Sequence, residues 1–169
     1  MKSTRQFAIG FAIAVVGAAA ATAYFLASPA RVIPDLEYTQ LDGKTARTSD
    51  LKGKVVLLNF WATSCTTCVK EMPQIVATYQ KYHLQGYETL AVAMSYDPPA
   101  YVVNFAESRK LPFTVVIDNL GKMAQSFGDV KLTPTSILIN KRGEVVKRYV
   151  GEPDFPALHQ LVEKLLKEA

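Results

Sequence analysis

The chain has 169 residues, 49% of them hydrophobic, 20% charged and 10% aromatic, with a formal net charge of +4. That is the composition of a globular protein with a sizeable core, long enough for one domain plus an appendage. Lys2 and Arg5 supply two of the positive charges and the others are scattered among acidic residues, so no nucleic-acid partner is expected.

Residues 7–27 (FAIGFAIAVVGAAAATAYFLA) form an uncharged, largely apolar run behind Lys2 and Arg5. About 20 such residues cross a bilayer, and positive residues in front of the run predict a cytoplasmic N-terminus with the rest of the chain on the far side. The segment is expected either to stay as a single-pass anchor in a bacterial inner membrane or to be cleaved near Ser28-Pro29-Ala30, which would release a soluble periplasmic protein. No cysteine ends the run, so a lipoprotein is not supported. The expected division is residues 1–30 as anchor or signal with linker, and residues 31–169 as one domain in an oxidising compartment.

From Pro34 onward the pattern is compact and without repeats. Leu36–Leu41 and Thr45–Thr48 flank Asp42-Gly43, which predicts a hairpin. Lys54–Trp61 is an apolar run of strand length, as a central strand covered on both faces requires. A helix follows, with Met72, Ile75, Val76 and Tyr79 at helical spacing and Gly86 as its stop. Thr89–Ser95 predicts a second buried strand, Asp97-Pro98-Pro99 a cap and first turn for a helix ending near Arg109, and Phe113–Asp118 another central strand. Leu120–Phe127 predicts a short helix closed by Gly128. Strands at Thr135–Asn140 and Glu144–Val150 and a C-terminal amphipathic helix with Phe155, Leu158, Leu161, Val162, Leu165 and Leu166 complete an α/β sandwich.

The only cysteines, Cys65 and Cys68, fall where the Lys54–Trp61 strand gives way to the helix. A cysteine at a helix start meets the positive end of the helix dipole and unpaired N–H groups, which stabilise its thiolate. A second thiol one turn later can attack a mixed disulfide within the same molecule. Other readings fare worse. With two cysteines a metal site would need both His83 and His159, which lack finger spacing, so no metal and no cofactor is expected; His83 reads as an exposed helix end and His159 as a polar-face residue. A purely structural disulfide would close a tiny loop and stabilise little.

Strand, Trp61-x-x-x-Cys65-x-x-Cys68, helix, and then Thr133-Pro134 before a ββα ending resemble the thioredoxin fold. More closely, the chain resembles the membrane-anchored TlpA/ResA-type thiol-disulfide oxidoreductases, through Gly53–Trp61, the cysteine pair, Glu71, Pro73, the helix-strand insertion from Pro98 to Asp118, and Leu132-Thr133-Pro134-Thr135. The resemblance implies a thioredoxin-like α/β fold with an N-terminal β-hairpin and a central helix-strand insertion. It implies that Cys65 attacks, that Cys68 is the buried resolving thiol, and that Thr133-Pro134 is a cis bond exposing the Thr133 backbone to a substrate strand. Trp61 would pack beside the motif and border that docking surface, while Tyr96, Tyr101 and Phe105 would only pack the insertion.

In thioredoxin proper a buried Asp two residues before the Trp assists proton transfer, and here that position holds Asn59. Glu71, three residues beyond Cys68 at the edge of the apolar stripe, is the expected substitute. Partly buried there, its carboxyl would titrate high, accept the Cys68 proton and disfavour two thiolates at once. Pro73 would bend the helix. Thr66-Thr67 between the cysteines lacks the proline of many relatives, which leaves the redox poise open.

The function so implied is reduction of disulfides in exported proteins such as an apocytochrome c or a copper chaperone, with electrons from a transmembrane thiol donor and the membrane held through residues 7–27. A periplasmic oxidase is the alternative within the same chemistry. A thiol peroxidase would need Pro and Thr where Leu58 and Ala62 stand, and a non-enzymatic module would capture extended segments beside Pro134.

Overall fold

A short hairpin comes first in the computed structural model, which describes residues 32–168. Strands β1 (Glu37–Thr39) and β2 (Thr45–Arg47) pair antiparallel around Asp42-Gly43, where Gly43 adopts a φ of 82° that a side chain would oppose. Both strands are shorter than the sequence pattern suggests. A 3₁₀ turn (Thr48–Leu51) leads into β3 (Val55–Trp61), every residue of which is buried. Helix α1 (Thr66–Tyr82) follows, and a 3₁₀ turn then ends at Gly86, with a φ of 93°. Next come β4 (Tyr87–Ala93), α2 (Pro99–Ser108), β5 (Thr114–Ile117), α3 (Lys122–Ser126), β6 (Thr135–Ile139), β7 (Val145–Val150) and α4 (Phe155–Lys167).

The main sheet has the order β5-β4-β3-β6-β7, with β3, β4 and β5 parallel and β6 and β7 antiparallel additions. β3 sits at the centre, and it offers apolar residues on both faces. Val55, Leu57 and Trp61 face the layer of α1, α2 and α4, whereas Val56, Leu58 and Phe60 face α3, the hairpin and the first 3₁₀ turn. Truncating Leu57 or Leu58 to Ala would cost about 2–5 kcal/mol, as deletions in such packed layers do. The hairpin lies along the outer edge of β5, tied by a Gln40–Val116 bridge and a 3.2 Å bond from Leu41 N–H to Val115 C=O.

Expected strand limits move by one or two residues; the larger differences concern caps. Asp97 does not cap α2, whose N-cap is Pro98 without a side-chain bond. Asp118 instead caps α3 across a gap, its carboxylate accepting from Met123 N–H (3.1 Å) and Ala124 N–H (2.8 Å). His159 is half-buried rather than on a polar face: its Nε2 meets Thr78 Oγ1 at 2.8 Å and its ring packs against Tyr82 and Phe155, between α1 and α4. Among the described residues no helix is long and apolar enough to cross a membrane; the span expected at residues 7–27 lies outside them.

Candidate active site

β3 delivers the chain to the C-terminal end of the parallel strands, and four residues after its last residue Cys65 becomes the N-cap of α1. Its Sγ accepts the Cys68 backbone N–H at 3.2 Å, so one of the open donors of the first helical turn is aimed at the sulfur. Cys65 and Cys68 are joined by a disulfide with Cα atoms 5.2 Å apart. Cys65 is half-buried and Cys68 fully buried, so an incoming sulfur has access to one of the two.

Glu71 follows Cys68 by three residues on the same side of α1 and is completely buried, more than the edge of an apolar stripe suggests. Its side-chain partner is Asn59, which on the two-residue alternation of β3 points to the same layer as Trp61 and Leu57. Asn59 Nδ2 donates to Glu71 Oε1 at 3.1 Å and lies 2.9 Å from Ser136 Oγ on the neighbouring strand. Burial pushes the Glu71 carboxyl up to about 7; the Asn59 bond works against that rise and the nearby Glu152 charge adds to it. A carboxyl poised there exchanges protons in the range where thiols begin to ionise.

Thr133-Pro134 is a cis bond, and the register brings it to the cysteines. Thr135 pairs with Phe60, so one step further Pro134 comes beside Trp61 at the end of β3. Pro134 is buried, Thr133 half-buried. Trp61 does not border the docking surface as expected: its side chain is completely buried, 5.1 Å from the ring of Phe105, and forms the wall behind the cysteines. Pro73 lies within α1, on its exposed side.

Two residues near the site carry roles that local pattern did not reveal. Asp97 is buried and takes Thr63, two residues before Cys65, with both oxygens: Oδ2 accepts Thr63 N–H and Oδ1 accepts the Thr63 hydroxyl, each at 2.6 Å. A hint was present, since Pro98 and Pro99 remove N–H groups that a capping carboxylate would accept. Tyr96, far from packing the insertion, is exposed, and its hydroxyl meets Thr133 Oγ1 at 3.1 Å. Among the described residues, no three His, Cys, Asp or Glu side chains gather as a metal ion would require.

A five-stranded sheet of this order, with a half-open CxxC disulfide at a helix start and a cis-proline beside it, defines the thioredoxin-like thiol-disulfide oxidoreductases. The sequence matches the Redoxin family over residues 28–162. It is 39% identical to the thiol-disulfide oxidoreductase ResA of Bacillus thuringiensis subsp. konkukian over 132 residues, 78% of this chain and 75% of that one. Two solved structures superpose closely. One, from Neisseria meningitidis and described as a thioredoxin, has a TM-score of 0.77 and 41% identity, covering 83% of this chain and 93% of that one. The other, a thiol:disulfide interchange protein DsbE from Chlorobium tepidum, has a TM-score of 0.74 and 31% identity, covering 81% and 96%. The chain therefore belongs to the Redoxin family, among the ResA-type thiol-disulfide oxidoreductases.

Proposed function

We propose that this protein is a reductase of disulfides in exported proteins, tethered through residues 7–27 with its domain on the extracytoplasmic side. The observation that supports this direction of electron flow is the buried Glu71 carboxyl one helical turn after Cys68. Strong oxidants of this class owe their potential to a stabilised reduced, thiolate form. A carboxylate held next to the dithiol acts the other way, because its charge disfavours thiolate and so favours passing electrons on.

In this reading the Cys65 thiolate attacks one sulfur of a substrate disulfide, forming the Cys65–substrate mixed disulfide and releasing one substrate thiolate. Cys68 passes its proton to the Glu71 carboxylate, and its thiolate attacks Cys65 Sγ. That step forms the Cys65–Cys68 disulfide and expels the second substrate sulfur, which takes up a proton. Two electrons leave the protein and reduce the substrate. A transmembrane thiol donor restores the dithiol, and an apocytochrome c with its CxxCH pair, or a copper chaperone, is a suitable substrate. The Thr133 backbone would guide the substrate strand.

The test is the reduction potential of the Cys65/Cys68 couple, equilibrated against glutathione or dithiothreitol buffers. A value near or below roughly −270 mV supports the reductase; one near −120 mV assigns the protein to disulfide formation instead.

A further inference from the structure

The turn from Ser95 to Pro98 joins β4 to α2 and takes no part in the sulfur chemistry above, yet two of its consecutive side chains reach both segments which that chemistry needs. Asp97 is 2% exposed, and a carboxylate so placed is costly unless well bonded. It spends both oxygens on one residue, Thr63, at 2.6 Å each, 34 positions away in sequence. Thr63 lies between the end of β3 and Cys65, and Cys65 itself is held by backbone bonds from its N–H to Ala62 C=O (3.1 Å) and from Val69 N–H to its C=O (3.0 Å). The adjacent Tyr96 reaches the residue before the cis-proline, with 3.1 Å between its hydroxyl and Thr133 Oγ1. The turn itself is fixed to β3: Met94 N–H donates to Trp61 C=O and Asp97 N–H to Met94 C=O, both at 2.9 Å.

We propose that Tyr96 and Asp97 are the positioning pair of the exchange site. Asp97 fixes the segment that presents Cys65, and the exposed Tyr96 fixes and flanks the Thr133 segment, so that Tyr96 helps decide which disulfide-bearing chains react. An extended chain pairing beside Pro134 must pass Tyr96, whereas a small disulfide needs Cys65 alone. The inference rests on the thiol-disulfide exchange chemistry and is independent of the direction of electron flow.

The experiment compares the reduced full-length protein with its Asp97→Ala, Asp97→Asn and Tyr96→Phe variants, using a disulfide-bridged peptide and hydroxyethyl disulfide as probes. Loss of the anchor in Asp97→Ala should slow exchange with both probes about tenfold or more, since small misplacements of reacting groups are expensive. It should also move the pH midpoint of Cys65 alkylation upward. Asp97→Asn should stay within about threefold of wild type, because the amide oxygen can accept Thr63 N–H while the amide nitrogen donates to the Thr63 hydroxyl. Tyr96→Phe should raise KM for the peptide several-fold at unchanged kcat, and leave hydroxyethyl disulfide unaffected. A folded Asp97→Ala protein with unchanged rates and midpoint, or a Tyr96→Phe protein with unchanged peptide KM, overturns the proposal; Tyr96 is exposed, so that arm is decisive even where Asp97→Ala fails to fold. A wild-type protein inert to both probes would instead overturn the exchange chemistry itself.

Discussion

Asn59, in the middle of the central strand, donates from Nδ2 to the buried Glu71 carboxyl at 3.1 Å, joining the core of the sheet to the helix that carries the dithiol. This bond spans two periodicities, the two-residue alternation of β3 and the three-residue step from Cys68 along α1. Burial raises the pH at which the carboxyl takes a proton, and this bond holds that rise in check.

Glu71→Gln should remove an inflection near pH 7 from the rate of mixed-disulfide resolution and slow that step about 10²-fold above it, the usual worth of a proton acceptor. In wild type the rate should rise through that inflection as Glu71 ionises. Single-turnover kinetics across pH 5.5–9 on the reduced protein, on the order of six pH points, checks this; an unchanged profile would remove Glu71 from the mechanism.

The same substitution has a signature in stability. Glu71 titrates at about 7 in the folded chain, above the value of 4.5 for a free glutamate. The fold therefore holds the proton more tightly, and the stability linked to this group is complete below the unfolded value and lost as pH rises through about 7. Urea melts of the oxidised protein should show Glu71→Gln gaining roughly 1–3 kcal/mol over wild type between about pH 5 and pH 8.

Asn59→Leu should move the Glu71 inflection to higher pH, because the bond that favours the carboxylate is gone. It also strips Ser136 Oγ of its amide partner, at a cost of about 1–3 kcal/mol. Infrared titration of the carboxyl, alongside the kinetic profile, distinguishes an altered Glu71 from general loosening.

Cys68→Ser should stop exchange at the mixed disulfide and accumulate a covalent Cys65–substrate adduct visible by mass spectrometry on a non-reduced sample, whereas Cys65→Ser should form none. The half-open Cys65 and fully buried Cys68 account for that asymmetry.

Asp118→Ala should destabilise the fold by about 1–2 kcal/mol without altering exchange rates. It removes the acceptor of two N–H groups at the start of α3, on the sheet face opposite the cysteines. Chemical melts and exchange assays on one preparation read both halves of that expectation.

What could be read directly from the sequence was what depends on near neighbours. The apolar runs of β3 and β4 name central strands because only doubly covered strands have no polar face, and Asp42-Gly43 names its hairpin because Gly43 must adopt a positive φ. Asp97 was misread for the complementary reason: before a helix an acid looks like a cap, and its true partner, Thr63, is brought to it only by the pairing of β3 with β4. The depth of Glu71 was likewise hidden, since the acceptance of a carboxyl at that place depends on Asn59 from another element. Trp61 could be placed beside the cysteines but not inside or outside, because Phe105, which covers it, comes from the insertion.

The backbone around Pro134 bounds how much of an extended chain could pair there. Proline has no N–H to offer, the Pro134 carbonyl already accepts Gly151 N–H at 2.8 Å, and Thr135 is flanked on both sides by Phe60 and Val150. An extended chain laid there has the Thr133 segment to grip and no strand edge along which to zip further. Pairing with a visiting chain is thereby confined to a few residues beside the cysteines, whichever way the electrons run.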